Sequence, residues 1–328
     1  MRIAILGAGA WGSALSIAFA RTHEITLWTR ESAQLTDLER TRQSAYLPGT
    51  SLPATVRFEA DAARAATQCE LVIVATSTAG MKPTLERLQG LPIASGILWA
   101  CKGFDPASGL LPHELIASTL PECKRVGALS GPSFALEVAR GLPAALTVAS
   151  LDDAFAATSA AALNGSPLRV YSSTDLVGVE LGGALKNVMA IAAGISDGLG
   201  LGANARAALV TRGLAEMARL GLRMGGSLET FMGLTGLGDL VLTATGDLSR
   251  NRTVGLRLAA GVPLATILEE LGHVAEGVHS ARSALALATR YGVAMPITEA
   301  VCAVLFEGLA PMGAVQSLLA REAKREGA

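Results

Sequence analysis

The chain has 328 residues, of which 50% are apolar and 17% are charged, so it can form two domains with ordinary cores and lacks the composition of a disordered protein. Its formal net charge of −1 removes the broad attraction that nucleic acids and anionic membranes exert on basic proteins, so we expect no nucleic-acid partner. An anionic ligand would have to be bound by local groups.

The cysteines and histidines are not spaced as metal ligands, so we predict no metal site. Four scattered cysteines without a CxxC pair also argue against a disulfide framework and favour a reducing, cytoplasmic location. Residues 1–20 superficially resemble a secretory signal peptide, but three glycines in six positions would interrupt its apolar helix. No later apolar run reaches the ~18 uncharged residues of a membrane span, so stable membrane insertion is not expected.

The first half of the chain alternates short β-type runs with helical ones. Residues 3–6 predict a strand, about 12–22 a helix and 24–28 a second strand. Further strands are predicted at 71–75, 96–101, 126–129, 144–149 and 168–171, with helical segments between most of them. Parallel strands need crossovers that helices supply, so the pattern predicts a mostly parallel sheet covered on both faces.

Beyond residue 175 the sequence predicts helices only. They are expected at about 176–195, 203–221, 252–260, 280–291 and 299–306. We therefore predict an α/β N-terminal domain over 1–175, with a doubly wound sheet of Rossmann type, followed by an all-α C-terminal domain over 176–328 that carries the substrate and catalytic groups.

A glycine-rich motif lies at the end of the first predicted strand. Residues 7–12, Gly-Ala-Gly-Ala-Trp-Gly, fit GxGxxG between a strand and a helix. Gly7 would permit the tight turn, Gly9 would let the backbone approach a pyrophosphate, and Gly12 would let the helix pack closely on the strand. The following helix N-terminus favours phosphate. The motif predicts dinucleotide binding, with a purely structural glycine turn as the alternative.

The end of the second predicted strand bears on the choice of cofactor. Enzymes strict for NAD usually have an acidic residue there, which binds the ribose 2′-hydroxyl, whereas this chain has Thr29-Arg30-Glu31. Arg30 could pair with the 2′-phosphate of NADP, and Glu31 keeps NAD admissible. The sequence therefore predicts NADP or NAD, and a solvated loop arginine is the alternative interpretation of Arg30.

Two lysines stand in apolar surroundings. The chain has 22 Arg and only 5 Lys, and Lys differs from Arg in that burial or a neighbouring cation lets it donate and recover a proton. Lys186 lies on a predicted helix, where Gly182 and Gly183 leave room for a ligand or another backbone. We interpret it as a general acid toward a ketone oxygen, with a snorkelling surface lysine as the alternative. Lys102 follows a predicted strand, at the edge where open α/β sheets bind ligands.

Other polar clusters suggest an anion site. Ser249 could cap a helix while Arg250 and Asn251 face a phosphate. Asp239 lies in a glycine-flanked turn and could orient a lysine, and residues 131–133 follow another predicted strand end. Ordinary caps and turns are the alternative interpretation of each cluster.

The order of these motifs resembles the bacterial NAD(P)-dependent glycerol-3-phosphate dehydrogenase family nearly end to end. The matching segments are residues 7–12, 99–103, 131–135, 182–187, 204–206, 236–240, 249–252 and 274–277. Several independent motifs in one order are far more specific than any one alone. Ala10 stands where many relatives have Ser, which removes one hydroxyl contact to the pyrophosphate and leaves backbone binding intact.

The resemblance implies a role for each matching residue. Lys186 would be the catalytic acid/base and would also contact the substrate. The other substrate-binding residues implied are Lys102, Gly131, Ser133, Asp239, Ser249, Arg250 and Asn251. The cofactor-binding residues implied are Gly7, Gly9, Ala10, Trp11, Gly12, Arg30, Lys102, Ala135, Arg250, Val274 and Glu276.

The implied activity is the reversible NAD(P)H-dependent reduction of dihydroxyacetone phosphate to sn-glycerol 3-phosphate, which feeds glycerophospholipid synthesis, by a cytoplasmic homodimer. A β-hydroxyacid or 6-phosphogluconate type dehydrogenase is an alternative, because such enzymes share a Rossmann domain followed by helices and a Lys-Asn pair on a helix. A module that senses NAD(P) without turnover is a third hypothesis.

Overall fold

A computed structural model describes residues 1–92, 96–272 and 275–321. Its strands are β1 (Arg2–Leu6), β2 (Glu24–Trp28), β3 (Arg57–Glu59), β4 (Leu71–Val74), β5 (Gly96–Trp99), β6 (Val126–Ser130), β7 (Ala144–Ala149) and β8 (Leu168–Ser173). The helices among them are α1 (Ala10–Phe19), α2 (Ser32–Thr41), α3 (Ala62–Thr67), α4 (Thr78–Glu86), α5 (Pro112–Thr119), α6 (Ala135–Ala139) and α7 (Asp153–Leu163).

The strands form one eight-stranded sheet in the order β3-β2-β1-β4-β5-β6-β7-β8. Every neighbouring pair is parallel except β6 and β7, which are antiparallel. The first six strands have the order of a dinucleotide-binding sheet, which reverses direction between β1 and β4. The predicted α/β fold with a mostly parallel sheet is confirmed.

Both faces of the sheet are covered, because alternate residues of each strand enter different apolar clusters. Ile3 and Ile5 of β1 belong to the cluster that contains α1 and α7, whereas Ala4 and Leu6 belong to the cluster on the opposite face. The strands are therefore buried on both sides, as parallel strands between helices must be. The carboxyl ends of the strands remain as the edge at which side chains can meet a ligand.

The rest of the described chain is helical. The helices are α8 (Leu176–Gly198), α9 (Gly202–Arg223), α10 (Leu228–Met232), α11 (Asp239–Thr245), α12 (Arg250–Ala259), α13 (Leu264–Leu271), α14 (Glu276–Arg290), α15 (Pro296–Phe306) and α16 (Pro311–Leu319), with a π-helical turn at Leu234–Gly238. The predicted all-α region is confirmed. The division into two domains at residue 175 stays a prediction, although α8 begins at Leu176.

Helix α8 is the central element of the helical part. Nearly all its residues are buried, and it contacts α9, α11, α12, α14 and α15. Among the described residues it is the helix that is long and apolar enough to cross a membrane, but its apolar segment is buried inside the protein. Its apolar composition is thus explained by a position in the core.

Candidate active site

The glycine turn after β1 is fixed by backbone contacts. Gly7 has φ +123°, and its N–H donates to Trp28 O at 2.9 Å. A Cβ on Gly7 would lie 2.9 Å from Ala75 O, and one on Gly12 would lie 1.8 Å from Gly7 O. By contrast, no atom lies within 4 Å of the place where a Cβ on Gly9 would stand. Packing thus requires the outer glycines, while the middle one borders open space.

Two polar atoms beside this turn lack partners. Thr76 Oγ1, just after β4, and Trp11 Nε1, in the first turn of α1, are buried and have no hydrogen-bond partner among the described residues. Helix α1 begins at Ala10 with Gly9 as its N-cap, so no side chain caps its free N–H groups. Unpaired donors around an open glycine fit the pyrophosphate of NAD(P).

Arg30 and Glu31 follow β2 and bind each other. Arg30 Nε donates to Glu31 Oε1 at 3.1 Å, and both side chains are exposed. Gln34 ties this corner to the glycine turn, because its Nε2 donates to Ala8 O at 2.7 Å while its amide oxygen accepts from Thr29. The corner therefore offers a guanidinium and a carboxylate, the groups that distinguish NADP from NAD.

Lys102 and Lys186 converge on one carboxylate. Lys102 follows β5 and its Nζ donates to Asp239 Oδ2 at 2.7 Å, whereas Lys186 on α8 donates to Asp239 Oδ1 at 2.5 Å. Lys186 Nζ also donates to Thr243 Oγ1 at 2.8 Å. The Asp239 side chain is 1% exposed and that of Lys186 is 9% exposed. A sheet edge and two helices thus form one polar cluster inside apolar surroundings.

Two glycines of α8 allow this convergence. A Cβ on Gly182 would lie 2.6 Å from Thr235 O in the π-helical turn, and one on Gly183 would lie 3.4 Å from Lys102 Cγ. The first glycine lets the backbone that leads to Asp239 approach, and the second admits the Lys102 side chain. The room expected beside Lys186 is thus filled by another backbone and by the second lysine.

The electrostatics of the cluster follow from its burial. Burial lowers the pKa of Lys186 to about 8; Asp239 opposes this fall, and the Lys102 ammonium adds to it. Burial alone would raise the pKa of Asp239, but the two ammonium groups outweigh it and lower the pKa, so the carboxylate stays charged. Lys186 is therefore a protonated amine that can release its proton near neutral pH.

The carbonyl of Gly131, after β6, adjoins the lysine pair. Lys102 Nζ donates to Gly131 O at 2.8 Å, and Ser133 Oγ donates to the same oxygen at 3.0 Å. Ser130 Oγ is buried without a hydrogen-bond partner and lies 3.3 Å from the position of a Cβ on Gly183. The ends of β5 and β6 therefore present hydroxyl and ammonium groups toward α8.

A second cationic group lies at the start of α12. Ser249 is the N-cap and its Oγ accepts from Arg252 N at 3.2 Å, as the sequence predicts for a capping serine. The Arg250 side chain is exposed and makes no ion pair within the described part of the chain. A free guanidinium beside a helix N-terminus is suited to bind a phosphate.

Asn251 connects three helices. Its Nδ2 donates to Asn187 Oδ1 at 3.0 Å, and its Oδ1 accepts from Gly277 N at 2.9 Å. Asn187 follows Lys186 on α8, so the start of α12 is tied to the helix that carries the buried lysine. The Asn251 amide is used for these two contacts inside the protein.

Glu276 connects the helical part to the sheet. It is the first residue of α14, and its Oε2 accepts from Thr78 Oγ1 at 2.7 Å at the start of α4. Burial raises its pKa, and the Thr78 hydrogen bonds and the Arg250 charge partly offset that rise.

Ala135 is the first residue of α6 and is half-buried. Val274 lies outside the described residues.

Several residues of the cluster were not predicted as site residues. Thr243 could have been found, because it follows Asp239 by one helical turn and so shares its helix face. Asn187 adjoins Lys186 in the sequence. Thr78 and Ser130 give no local signal, because only the fold brings them to Glu276 and to the lysines.

A Rossmann-type sheet with a glycine turn after one strand, and a lysine after another strand that pairs with a buried lysine through a shared carboxylate, has the parts that a dinucleotide-dependent oxidoreductase needs. Residues 2–156 match the NAD-dependent glycerol-3-phosphate dehydrogenase N-terminus, and residues 175–316 match the C-terminus of the same family. The chain belongs to the NAD-dependent glycerol-3-phosphate dehydrogenase family and is an oxidoreductase that uses NAD(P).

Full-length relatives agree with this assignment. The glycerol-3-phosphate dehydrogenase [NAD(P)+] of Thiobacillus denitrificans is 56% identical over 327 residues, covering 99% of this chain and 100% of the relative. That of Dechloromonas aromatica is also 56% identical, with 99% of each chain covered. The crystal structure of glycerol-3-phosphate dehydrogenase from Coxiella burnetii has a TM-score of 0.93 at 40% identity, covering 98% of this chain and 99% of the other. The family predicted from the motifs is confirmed.

Proposed function

We propose that the chain catalyses the reversible reduction of dihydroxyacetone phosphate to sn-glycerol 3-phosphate in the cytoplasm, with Lys186 as general acid and base, and so supplies glycerophospholipid synthesis. We base the activity on the names of its relatives, which are glycerol-3-phosphate dehydrogenases. The observation that carries the role of Lys186 is its burial against Asp239, at the edge of the sheet where a ligand would bind.

Lys186 is oriented to use one of its protons. An ammonium group has three N–H donors, and Asp239 and Thr243 accept two of them. The third is free to donate to the substrate carbonyl oxygen, which takes the proton as it becomes a hydroxyl. A nicotinamide bound at this edge of the sheet would supply the hydride for the carbonyl carbon. The positive charge of Lys102 stabilises the negative charge that develops on the oxygen.

The phosphate of the substrate would bind at the start of α12. Arg250 offers an exposed guanidinium fork, and the helix N-terminus beside Ser249 offers backbone N–H groups. We propose Gly131 and Ser133 as groups that face the rest of the substrate, because both adjoin Lys102. The site thus separates a phosphate-binding end from a proton-transferring end.

The decisive experiment follows the absorbance of NADPH and NADH with dihydroxyacetone phosphate, in wild type and in Lys186→Ala. Loss of a general acid lowers kcat by about 10²–10⁴-fold, and NADPH titration should show that the variant still binds cofactor. Wild type without turnover would contradict the substrate, and a fully active Lys186→Ala would contradict the role of Lys186. Turnover of a β-hydroxyacid in place of the ketone phosphate would favour the hydroxyacid alternative.

We also propose that the chain forms a homodimer, as the family resemblance implies. An apolar groove of about 910 Å³ between α9, α15 and α16 supports an interface on the helical part, because the apolar side chains of Leu222 and Leu319 are exposed beside it. Sedimentation velocity gives the mass in solution, and a species of one chain at micromolar concentration would contradict the proposal.

A further inference from the structure

Asp197, in the last turn of α8, accepts hydrogen bonds from two guanidinium groups. Arg252 donates to its Oδ2 through Nε at 3.0 Å and Nη2 at 2.8 Å, and Arg206 Nη1 lies 3.1 Å from both carboxylate oxygens. The side chains of Asp197 and Arg252 are 10% and 14% exposed, so the pair is shielded from solvent. A shielded pair in which two guanidinium nitrogens bind one carboxylate has a fixed geometry.

Arg252 has a second acceptor in a different environment. Its Nη1 donates to Asp247 Oδ1 at 3.0 Å, but the Asp247 side chain is 96% exposed. An exposed ion pair contributes little, because water competes for both charges. The orientation of Arg252 is therefore set by Asp197.

The first turn of α12 rests directly on α8. A Cβ on Gly194 of α8 would lie 2.1 Å from Arg252 O, so the two backbones are in contact. Asn251 fixes the same turn to Asn187, nearer to Lys186. Arg250 stands on this doubly anchored turn, yet its own guanidinium makes no ion pair within the described ranges. The position of the free guanidinium is thus set by its neighbours.

We propose that Asp197 is a positioning residue for the phosphate of the substrate. By holding Arg252, it fixes the direction in which Arg250 and the N-terminus of α12 meet that phosphate. The inference rests on the proposed function, because it assumes that the start of α12 binds the phosphate. Lys186 keeps its own partners, Asp239 and Thr243, so proton transfer does not depend on Asp197.

The test compares dihydroxyacetone phosphate with dihydroxyacetone, which lacks the phosphate. The ratio of the two kcat/KM values measures what the phosphate contributes to catalysis. In Asp197→Asn we expect the ratio to fall about tenfold to a hundredfold, the cost of a misplaced binding group. The kcat/KM for dihydroxyacetone should not change. Asp247→Asn is the matched control and should leave the ratio within about twofold of wild type.

Arg250→Gln separates this inference from the proposed function. If Arg250→Gln leaves the ratio at the wild-type value, the proposed phosphate site is wrong and the inference fails with it. If Arg250→Gln lowers the ratio while Asp197→Asn does not, or if Asp197→Asn impairs both substrates equally, only the inference is overturned. In the Arg250→Gln background, Asp197→Asn should lower the ratio less than it does in wild type, because part of its effect is exerted through Arg250.

Arg252→Lys provides a second route if Asp197→Asn does not fold. Lysine keeps the charge beside Asp197 but loses the fork that engages it through two nitrogens. We expect the same selective fall in the phosphate ratio, and an unchanged ratio in a folded Arg252→Lys protein would overturn the inference.

Discussion

Lys186 is buried, although its proposed role as a general acid requires a charged side chain. Its burial and the nearby Lys102 favour the neutral amine, while Asp239 favours the ammonium, and the balance gives a pKa of about 8. Arginine at this position would stay protonated at any working pH. The sequence indicated this residue because the chain uses Arg for most of its positive charges, and a Lys within an apolar helix is therefore unusual.

The pH dependence of turnover should reflect this pKa. As the proposed general acid, Lys186 must be protonated for reduction, so kcat/KM for dihydroxyacetone phosphate should be constant below about pH 8 and fall as the pH rises through it. Oxidation of glycerol 3-phosphate needs the neutral amine, so its kcat/KM should rise over the same interval. Initial rates between pH 6 and 9.5 measure both profiles. A shared profile in both directions would argue against Lys186 as the titrating group.

Glu216 on α9 is a buried carboxyl outside the active site. Its Oε1 accepts from Ile297 N at 2.8 Å at the start of α15, and the residue is 2% exposed. Burial raises its pKa to about 7, and the α15 N–H groups only partly offset the rise. The folded protein therefore binds this proton more tightly than the unfolded chain.

The consequence is a stability that falls with rising pH. Glu216 contributes up to about 3 kcal/mol to the free energy of unfolding. This contribution is fully present below the unfolded pKa of about 4.3 and is lost as the pH rises through about 7. Urea unfolding at pH 5 and pH 8 should show this loss in wild type and not in Glu216→Gln. The exposed Glu39→Gln, on α2, serves as the control. Equal pH dependence in wild type and Glu216→Gln would contradict the assignment.

At the scale of elements, the sequence predicted the long ones and missed the short ones. The strands from β4 to β8 and the helix α8 have apolar runs long enough to be recognised in the sequence. Strand β3 has three residues, Arg57–Glu59, without an apolar run, and pairing with β2 alone makes it a strand. The π-helical turn before Asp239 depends on contact with Gly182, which no local pattern encodes.

Substitutions can separate the role of the glycine turn in packing from its role in cofactor binding. Gly9→Ala meets no atom of the protein, so the variant should fold like wild type but weaken NADPH binding about tenfold or more, because its Cβ occupies the space proposed for the pyrophosphate. Gly12→Ala places a Cβ 1.8 Å from Gly7 O and should lower stability by about 1–3 kcal/mol. Thermal unfolding and NADPH titration measure the two effects.

Gly165→Ala is the control for Gly9→Ala, because it also meets no atom within 4 Å but lies away from the turn. It should change neither stability nor NADPH affinity appreciably. Unchanged NADPH binding in Gly9→Ala would place the pyrophosphate elsewhere.

At the scale of the whole molecule, polar contacts join the sheet to the helical part. Lys102 meets Asp239, Thr78 meets Glu276, and His113 N donates to Glu180 Oε1 at 2.9 Å. Burial alone would lower the pKa of His113, but the Glu180 carboxylate, which also hydrogen-bonds the His113 imidazole, outweighs burial and raises this pKa. Each contact joins distant parts of the sequence, so none could be predicted without the fold.

Cofactor binding should therefore stabilise both parts together. NADPH at a hundredfold excess over its Kd should raise the free energy of unfolding by about 2.7 kcal/mol. Because contacts join the glycine-turn half to the helices, we expect calorimetry to show one transition that moves upward as a unit. Two transitions, of which NADPH moves only one, would show that the halves unfold independently.

The contact between α8 and α12 also has a consequence for substitution of its glycines. Gly194 and Gly255 put backbone against backbone, with a Cβ on Gly255 only 2.1 Å from Ile191 O. Glycine has no smaller replacement, so every substitution of these residues adds atoms to a contact in which no free space remains. Any substitution at Gly194 or Gly255 must therefore push α8 and α12 apart, and the distance between Lys186 on α8 and Arg250 on α12 changes with it.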